Sequence, residues 1–153
     1  MPGFQSRSVV LKGRLTVAAP LARAFELFSP EGERLWVPGW IPEVLYPPGA
    51  SWVEGLIFRT HEESGEAIWV ISRLDPFFHR VTYHRVEPGR YVARIDVQCT
   101  PASLDSTDVT TTYTFTGLSA AGNGDVAQMT QDTYDAKMVR WSAWIGALLD
   151  SGR

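Results

Sequence analysis

The stretch DVAQMTQDTYDAKMVRWSAWIGALL, residues 125–149, decides the fold. It contains no proline, and Tyr134, Met138, Trp141, Ile145 and Leu148 recur at spacings of four, three, four and three. That is the rhythm of a helix with ~3.6 residues per turn, so the five side chains form one apolar stripe. The spacing predicts a single long amphipathic helix from about Asp125 to Leu149. Trp144 widens the stripe, while Asp132, Asp135, Lys137 and Arg140 are expected on the other side. A helix of this kind has to cover an apolar face elsewhere in the chain. The preceding segment, Gly117 to Asn123, is small and polar and supplies none.

Upstream, the period changes from that of a helix to that of a strand. Val109, Thr111, Tyr113 and Phe115 alternate with a row of threonines, and Ala93, Ile95, Val97 and Cys99 alternate with Val92, Arg94, Asp96 and Gln98. One side of each run is core and the other is wet. Three further runs, Trp52 to Thr60, Ala67 to Leu74 and His79 to Val86, complete a set of five with Tyr91 to Thr100 and Thr107 to Thr116. The breaks at Glu62 to Gly65, Asp75-Pro76, Glu87 to Arg90 and Pro101 to Ser106 suit hairpin connections and predict an antiparallel meander. In the runs around Trp69 and Tyr83 both faces carry apolar groups, so periodicity leaves their registers open. An earlier strand over residues 8–18 points Val9, Leu11, Gly13, Leu15 and Val17 one way. Pro20 then opens a short helix with Leu21, Ala24, Phe25 and Phe28 on one stripe, and Ser29-Pro30 starts a second helical turn reaching Trp36. Residues 37–49 hold four prolines and two glycines and are expected to form a stiff apolar loop with no regular element.

Bulk composition narrows the function classes. The 153 residues fit one domain spanning 1–153, with 44 % apolar and 20 % charged residues, enough to bury a core. A formal charge of −3 without a Lys/Arg cluster removes the footprint of a nucleic-acid binder. The apolar runs fall far short of the ~20 residues of a membrane span, so no transmembrane segment is expected. A lone cysteine, Cys99, and the lack of a secretory pattern point to a reducing cytoplasm. Six Trp, five Tyr and seven Phe are suited to filling a core or lining a ligand cavity.

Three stretches carry a resemblance. They are Leu15-Thr16-Val17-Ala18-Ala19-Pro20-Leu21-Ala22-Arg23-Ala24-Phe25 with its continuation Ser29 to Trp36, then Trp69-Val70-Ile71 followed by Leu74-Asp75-Pro76, and the terminal helix. In these and in the order of elements the chain resembles the SRPBCC superfamily, particularly its bacterial members. That superfamily includes START lipid-transfer domains, plant pollen-allergen-type carriers, polyketide cyclases and heat-shock ATPase activator homologues. The resemblance implies an α+β helix-grip fold: a curved antiparallel sheet of about six strands around the long C-terminal helix, with two short helices after the first strand. It also implies a ligand held between helix and sheet, and it carries over no universal catalytic motif.

Candidate site residues follow from placing the aromatics on that frame. Trp36, Trp40 and Tyr46, on or beside the proline-rich loop, serve either as a lid or as core plugs. Tyr113, Tyr134, Met138 and Trp141, on inward faces, serve either as core or as cavity wall, and Phe58, Ile95 and Val97 join them as candidate ligand contacts. Tyr83 and Arg85 share a strand face, so an inward Arg85 offers a planar fork of donors to a carboxylate or phenolate. Candidate proton movers are Arg85, Tyr113 and His84. His61, His79 and His84 lack the HxH or HExxH spacing of a metal site, so neither metal nor another cofactor is expected. Cys99 reads as structural, and Gly122-Asn123-Gly124 lacks the lysine of a phosphate loop.

Three functions fit. The leading expectation is a non-catalytic binder or carrier of a small apolar, aromatic or lipid-like molecule. The first alternative is a metal-free cyclase/aromatase or dehydratase using the same cavity. The second is a protein-interaction module, which needs an exposed apolar patch that no stretch of the sequence advertises. Trp52, taken as an exposed aromatic, offers a surface for a homodimer.

Overall fold

Alternation along the strands decides which residues face the helix. In the computed structural model, which describes residues 3–63 and 65–152, β1 (Ser8–Val17) buries Leu11, Leu15 and Val17 and exposes Val10, Lys12, Arg14 and Thr16. Two short helices follow, α1 (Leu21–Glu26) and α2 (Pro30–Glu33), the latter capped by the Ser29 hydroxyl, which accepts from the Gly32 N–H at 2.9 Å. The strands β2 (Glu43–Tyr46), β3 (Ile57–Glu62), β4 (Gly65–Asp75), β5 (Arg80–Glu87), β6 (Tyr91–Pro101) and β7 (Thr107–Gly117) come next. The chain ends in α3 (Ala120–Ala127) and α4 (Gln131–Asp150).

All strands pair antiparallel in the order β1-β7-β6-β5-β4-β3-β2. The sheet has seven strands rather than about six, because β2 lies inside the segment expected to hold no regular element. Glu43 to Tyr46 is the proline-free interval between Pro42 and Pro47. At the edge of a sheet such a short run pairs on one side only, and Glu43 is fixed to Arg59 of β3 by a 2.9 Å ion pair.

The registers left open by the sequence resolve into transverse rows on the inward face. One row runs Trp69, Arg85, Ala93, Phe115 and Val9, and the next runs Ile71, Tyr83, Ile95, Tyr113 and Leu11. A third runs Val81, Val97, Thr111 and Gly13. A bulge between Ile71 and Arg73 changes the parity of β4 beyond Ile71.

The expected single helix from Asp125 is two helices with a break at residues 128–130. Thr130 forms a capping box: its hydroxyl accepts from the Thr133 N–H, and the Thr133 hydroxyl accepts from the Thr130 N–H at 3.1 Å. This starts α4 afresh at Gln131. The stripe itself holds, since Tyr134, Met138, Trp141, Ile145 and Leu148 are the buried residues of α4. Two glycines permit close approaches. A Cβ on Gly13 would lie 2.7 Å from Met138 Cγ and 2.8 Å from a Tyr134 ring carbon, so α4 crosses β1 there. A Cβ on Gly122 would lie 1.6 Å from the Arg90 carbonyl oxygen, so the GNG stretch packs as the start of α3 against the β5–β6 turn.

No helix among the described residues is long and apolar enough to cross a membrane. Contrary to the expectation of no exposed apolar patch, Phe77 (81 % exposed) and Phe78 (62 %) sit ring to edge at 4.9 Å on the β4–β5 turn. Trp52 is half-buried against Phe25, with ring centres 5.5 Å apart, and is not the exposed aromatic expected.

Candidate functional site

The row Trp69, Arg85, Ala93, Phe115 contains one small residue among large ones, and a cavity lies over it. A chamber of about 390 Å³ is floored by these side chains and by Tyr91 and Tyr113. Its roof is the α4 face carrying Tyr134 and Lys137, with Thr133 and Arg140 exposed at the rim. A second, inner chamber of about 100 Å³ lies between Tyr83, Tyr113 and Trp141 and reaches Trp40 and Glu33. Trp69 and Tyr113 wall both chambers.

Several polar groups face this aromatic space. Arg85 is well anchored: its guanidinium donates to the Tyr91 hydroxyl and to Glu87, each at 2.8 Å, and lies 3.4 Å from Glu62. It also stands over the Trp69 ring at 5.4 Å. Burial works against its charge, but Tyr91, Glu87 and Glu62 together outweigh that and hold its pKa above the ordinary range.

Lys137 is held differently. Its Nζ lies 4.4 Å from the centre of the Tyr113 ring and 5.9 Å from those of Tyr134 and Trp141. Among the described residues it has no hydrogen-bond or ion-pair partner. Burial first, then the nearby Arg85 and Arg140 charges, push its pKa down to about 8, with Glu33 alone opposing. Glu33 is the reciprocal case: burial raises its carboxyl well above the usual carboxylate range, with Lys137 pulling the other way. Glu33 is half-buried and lines the inner chamber.

Burial is the main cause that raises the Tyr113 phenol well above its ordinary range. Tyr83, raised in the same way, is committed to the fold, because its hydroxyl donates to the Phe28 carbonyl at 2.7 Å. Tyr134 shares a short hydrogen bond with Thr111, and burial pushes the phenol up to about 12. The cavity thus combines flat apolar walls, a weakly basic amine, a carboxyl group inclined to keep its proton, and a phenol.

No family model matches the sequence, and a search of curated proteins finds no match. Solved structures do match. Norcoclaurine synthase from Thalictrum flavum, in complex with dopamine and hydroxybenzaldehyde, superposes with a TM-score of 0.67 at 12 % identity, over 100 % of this chain and 96 % of that one. Ara h 8.0201 gives 0.68 at 16 % identity, over 94 % and 99 %. DynU16, described as a putative protein in the dynemicin biosynthetic locus, gives 0.61 at 15 % identity over 94 % of this chain and 48 % of its own.

The chain has the Bet v 1-like helix-grip fold.

On this helix-grip frame the candidate residues separate into groups. Arg85, Tyr113 and Tyr134 line the outer chamber, and Trp40, Tyr83, Ile95, Val97, Tyr113 and Trp141 line the inner one. Trp36 lines neither chamber. Its indole donates to the Leu27 carbonyl at 2.7 Å and its ring packs on Trp141 at 5.4 Å, which makes it a core plug. Phe58 is fully buried and stacks on Trp69 from behind the chamber wall. Met138 is buried over Gly13. Tyr46, 62 % exposed on the edge strand β2, is no part of the wall.

His84 is corrected as a candidate proton mover. It alternates with the inward Tyr83 and Arg85, so it points to the outer face, where Nδ1 meets the Ser72 hydroxyl at 2.8 Å. Among the described residues no group of three His, Cys, Asp or Glu is placed to hold a metal ion. Burial pushes the Cys99 thiol up to about 12, so it is not a nucleophile.

Neither Lys137 nor Glu33 is marked as a site residue by pattern in the sequence. Lys137 was assigned to the polar side of α4, yet it stands three residues after Tyr134 and four before Trp141, on the flank of the stripe. Glu33 sits in a four-residue helix, too short to show a period.

Proposed function

We propose that the chain binds a small, largely aromatic molecule in the two-chamber cavity, with its polar end toward Lys137. The observation that carries this is the cavity over Ala93. Its sheet wall is rich in aromatic rings, Tyr134 faces it from the helix, and its amine has no protein partner among the described residues. Apolar burial supplies the affinity, at ~25 cal/mol per Å² before association costs, and the few polar groups supply orientation. The fold neighbour solved with dopamine and hydroxybenzaldehyde supports the reading at the level of fold alone.

Trp69 and Trp141 line the chambers, so a bound aromatic molecule should change tryptophan emission. Titration with 2-naphthol is expected to saturate and to raise the melting temperature. Ala93→Leu fills the floor of the outer chamber, and the same titration should then shift by at least about tenfold, equivalent to ~1.4 kcal/mol. Equal binding by the wild type and a folded Ala93→Leu variant would remove the cavity as the site.

A further inference from the structure

We infer that Lys137 is a Schiff-base lysine, whose amine condenses with the carbonyl carbon of an aromatic aldehyde held in the outer chamber. The inference rests on the cavity reading above and adds a covalent step to it.

Composition gives the first argument. Of the fourteen basic residues, twelve are arginine and only Lys12 and Lys137 are lysine. Lys12 is exposed on β1, while Lys137 faces the chamber. A purely electrostatic need at position 137 would be met by arginine, which is always charged and cannot act as an amine nucleophile. A lysine serving only to cover apolar surface would extend its head to water. Lys137 instead places Nζ among three aromatic rings, with no anion in contact among the described residues.

Reactivity agrees with geometry. With its pKa down to about 8, about one amine in ten is unprotonated at pH 7. An ordinary lysine near 10.4 offers roughly one in 2,500. Desolvation and neighbouring cations, here Arg85 and Arg140, are the two routes by which a lysine becomes a nucleophile.

The step balances as follows. The free amine forms a C–N bond, the carbonyl π pair moves to oxygen, and transfer of one proton from nitrogen to oxygen gives the carbinolamine. The nitrogen lone pair then expels the hydroxyl, which takes a proton from solvent at the open rim and leaves as water. The products are a protonated imine on Lys137 and water.

Reductive trapping tests this with the intact chain. The protein is incubated with 2-naphthaldehyde and cyanoborohydride, and adducts are located by peptide mass mapping. The adduct is expected at Lys137 in at least about tenfold excess over Lys12. Its rate should rise with pH to a half-maximum near 8. Lys137→Arg should keep the fold and yield no adduct at that position. Equal trapping at both lysines, or a half-maximum near the ordinary ~10.4, would overturn the role of Lys137. Tryptophan quenching by the non-reactive 2-methylnaphthalene separates the two levels. Quenching without trapping rejects the Schiff base alone, and absence of both rejects the cavity reading as well.

Discussion

Lys137 carries a cost to the fold as well as the proposed reactivity. Its folded pKa of about 8 lies below the ordinary lysine value of ~10.4. Between those values the unfolded chain binds more protons than the folded one, so stability rises with pH across that window. Below pH 8 the full penalty of the desolvated ammonium is present. Lys137→Met is therefore expected to stabilise the protein at pH 7, by on the order of 2 kcal/mol once chamber water screens the charge. The gain should vanish by about pH 10.5, as read from urea midpoints at the two pH values. A variant that is less stable at pH 7 would mean that the ammonium contributes attraction rather than strain. The same residue shows why a site is less legible than a core. Hydrophobic periodicity assigns a lysine outward by type, whereas its position on the flank of the Tyr134–Trp141 stripe takes it inward.

At the scale of elements, much was readable from pattern. The β6 and β7 faces and the α4 stripe agree residue by residue with the alternation and the spacing in the sequence. The faces of β4 and β5 were ambiguous because both sides carry large apolar groups, and only pairing settles them: Trp69 with Arg85 and Ile71 with Tyr83. The break before α4 was hidden because no proline or glycine marks it. Its signal is the Thr130–Thr133 pair, a less familiar form of the capping box than one ending in Glu or Gln. Thr130→Ala removes the side-chain acceptor for the Thr133 N–H and is expected to cost about 1 kcal/mol in urea unfolding. Because the cap sets where α4 begins, and with it the placement of Tyr134 and Lys137, the variant should also weaken 2-naphthol quenching. An unaffected stability would show that α4 is held by its buried stripe alone.

Across the whole molecule, the cavity depends on a coincidence of rows. Ala93 is the small residue in the row that also holds Trp69 and Phe115, and α4, which crosses the sheet closely at Gly13, flanks the pocket over that row. The helix-grip frame was evident from the order of elements. The void was not, because one alanine in an alternating strand looks like any other core residue until its neighbours across the sheet are known. The exposed Phe77-Phe78 pair is a competing apolar surface on the β4–β5 turn, while the chamber rests on Ala93 and Tyr91 near the start of β6. Amide chemical-shift mapping with 2-naphthol separates the two sites directly. The account predicts perturbations that saturate at Ala93, Tyr113 and Lys137 and leave Phe77 and Phe78 unmoved; shifts confined to the Phe77-Phe78 turn, or none at the chamber residues, would contradict it.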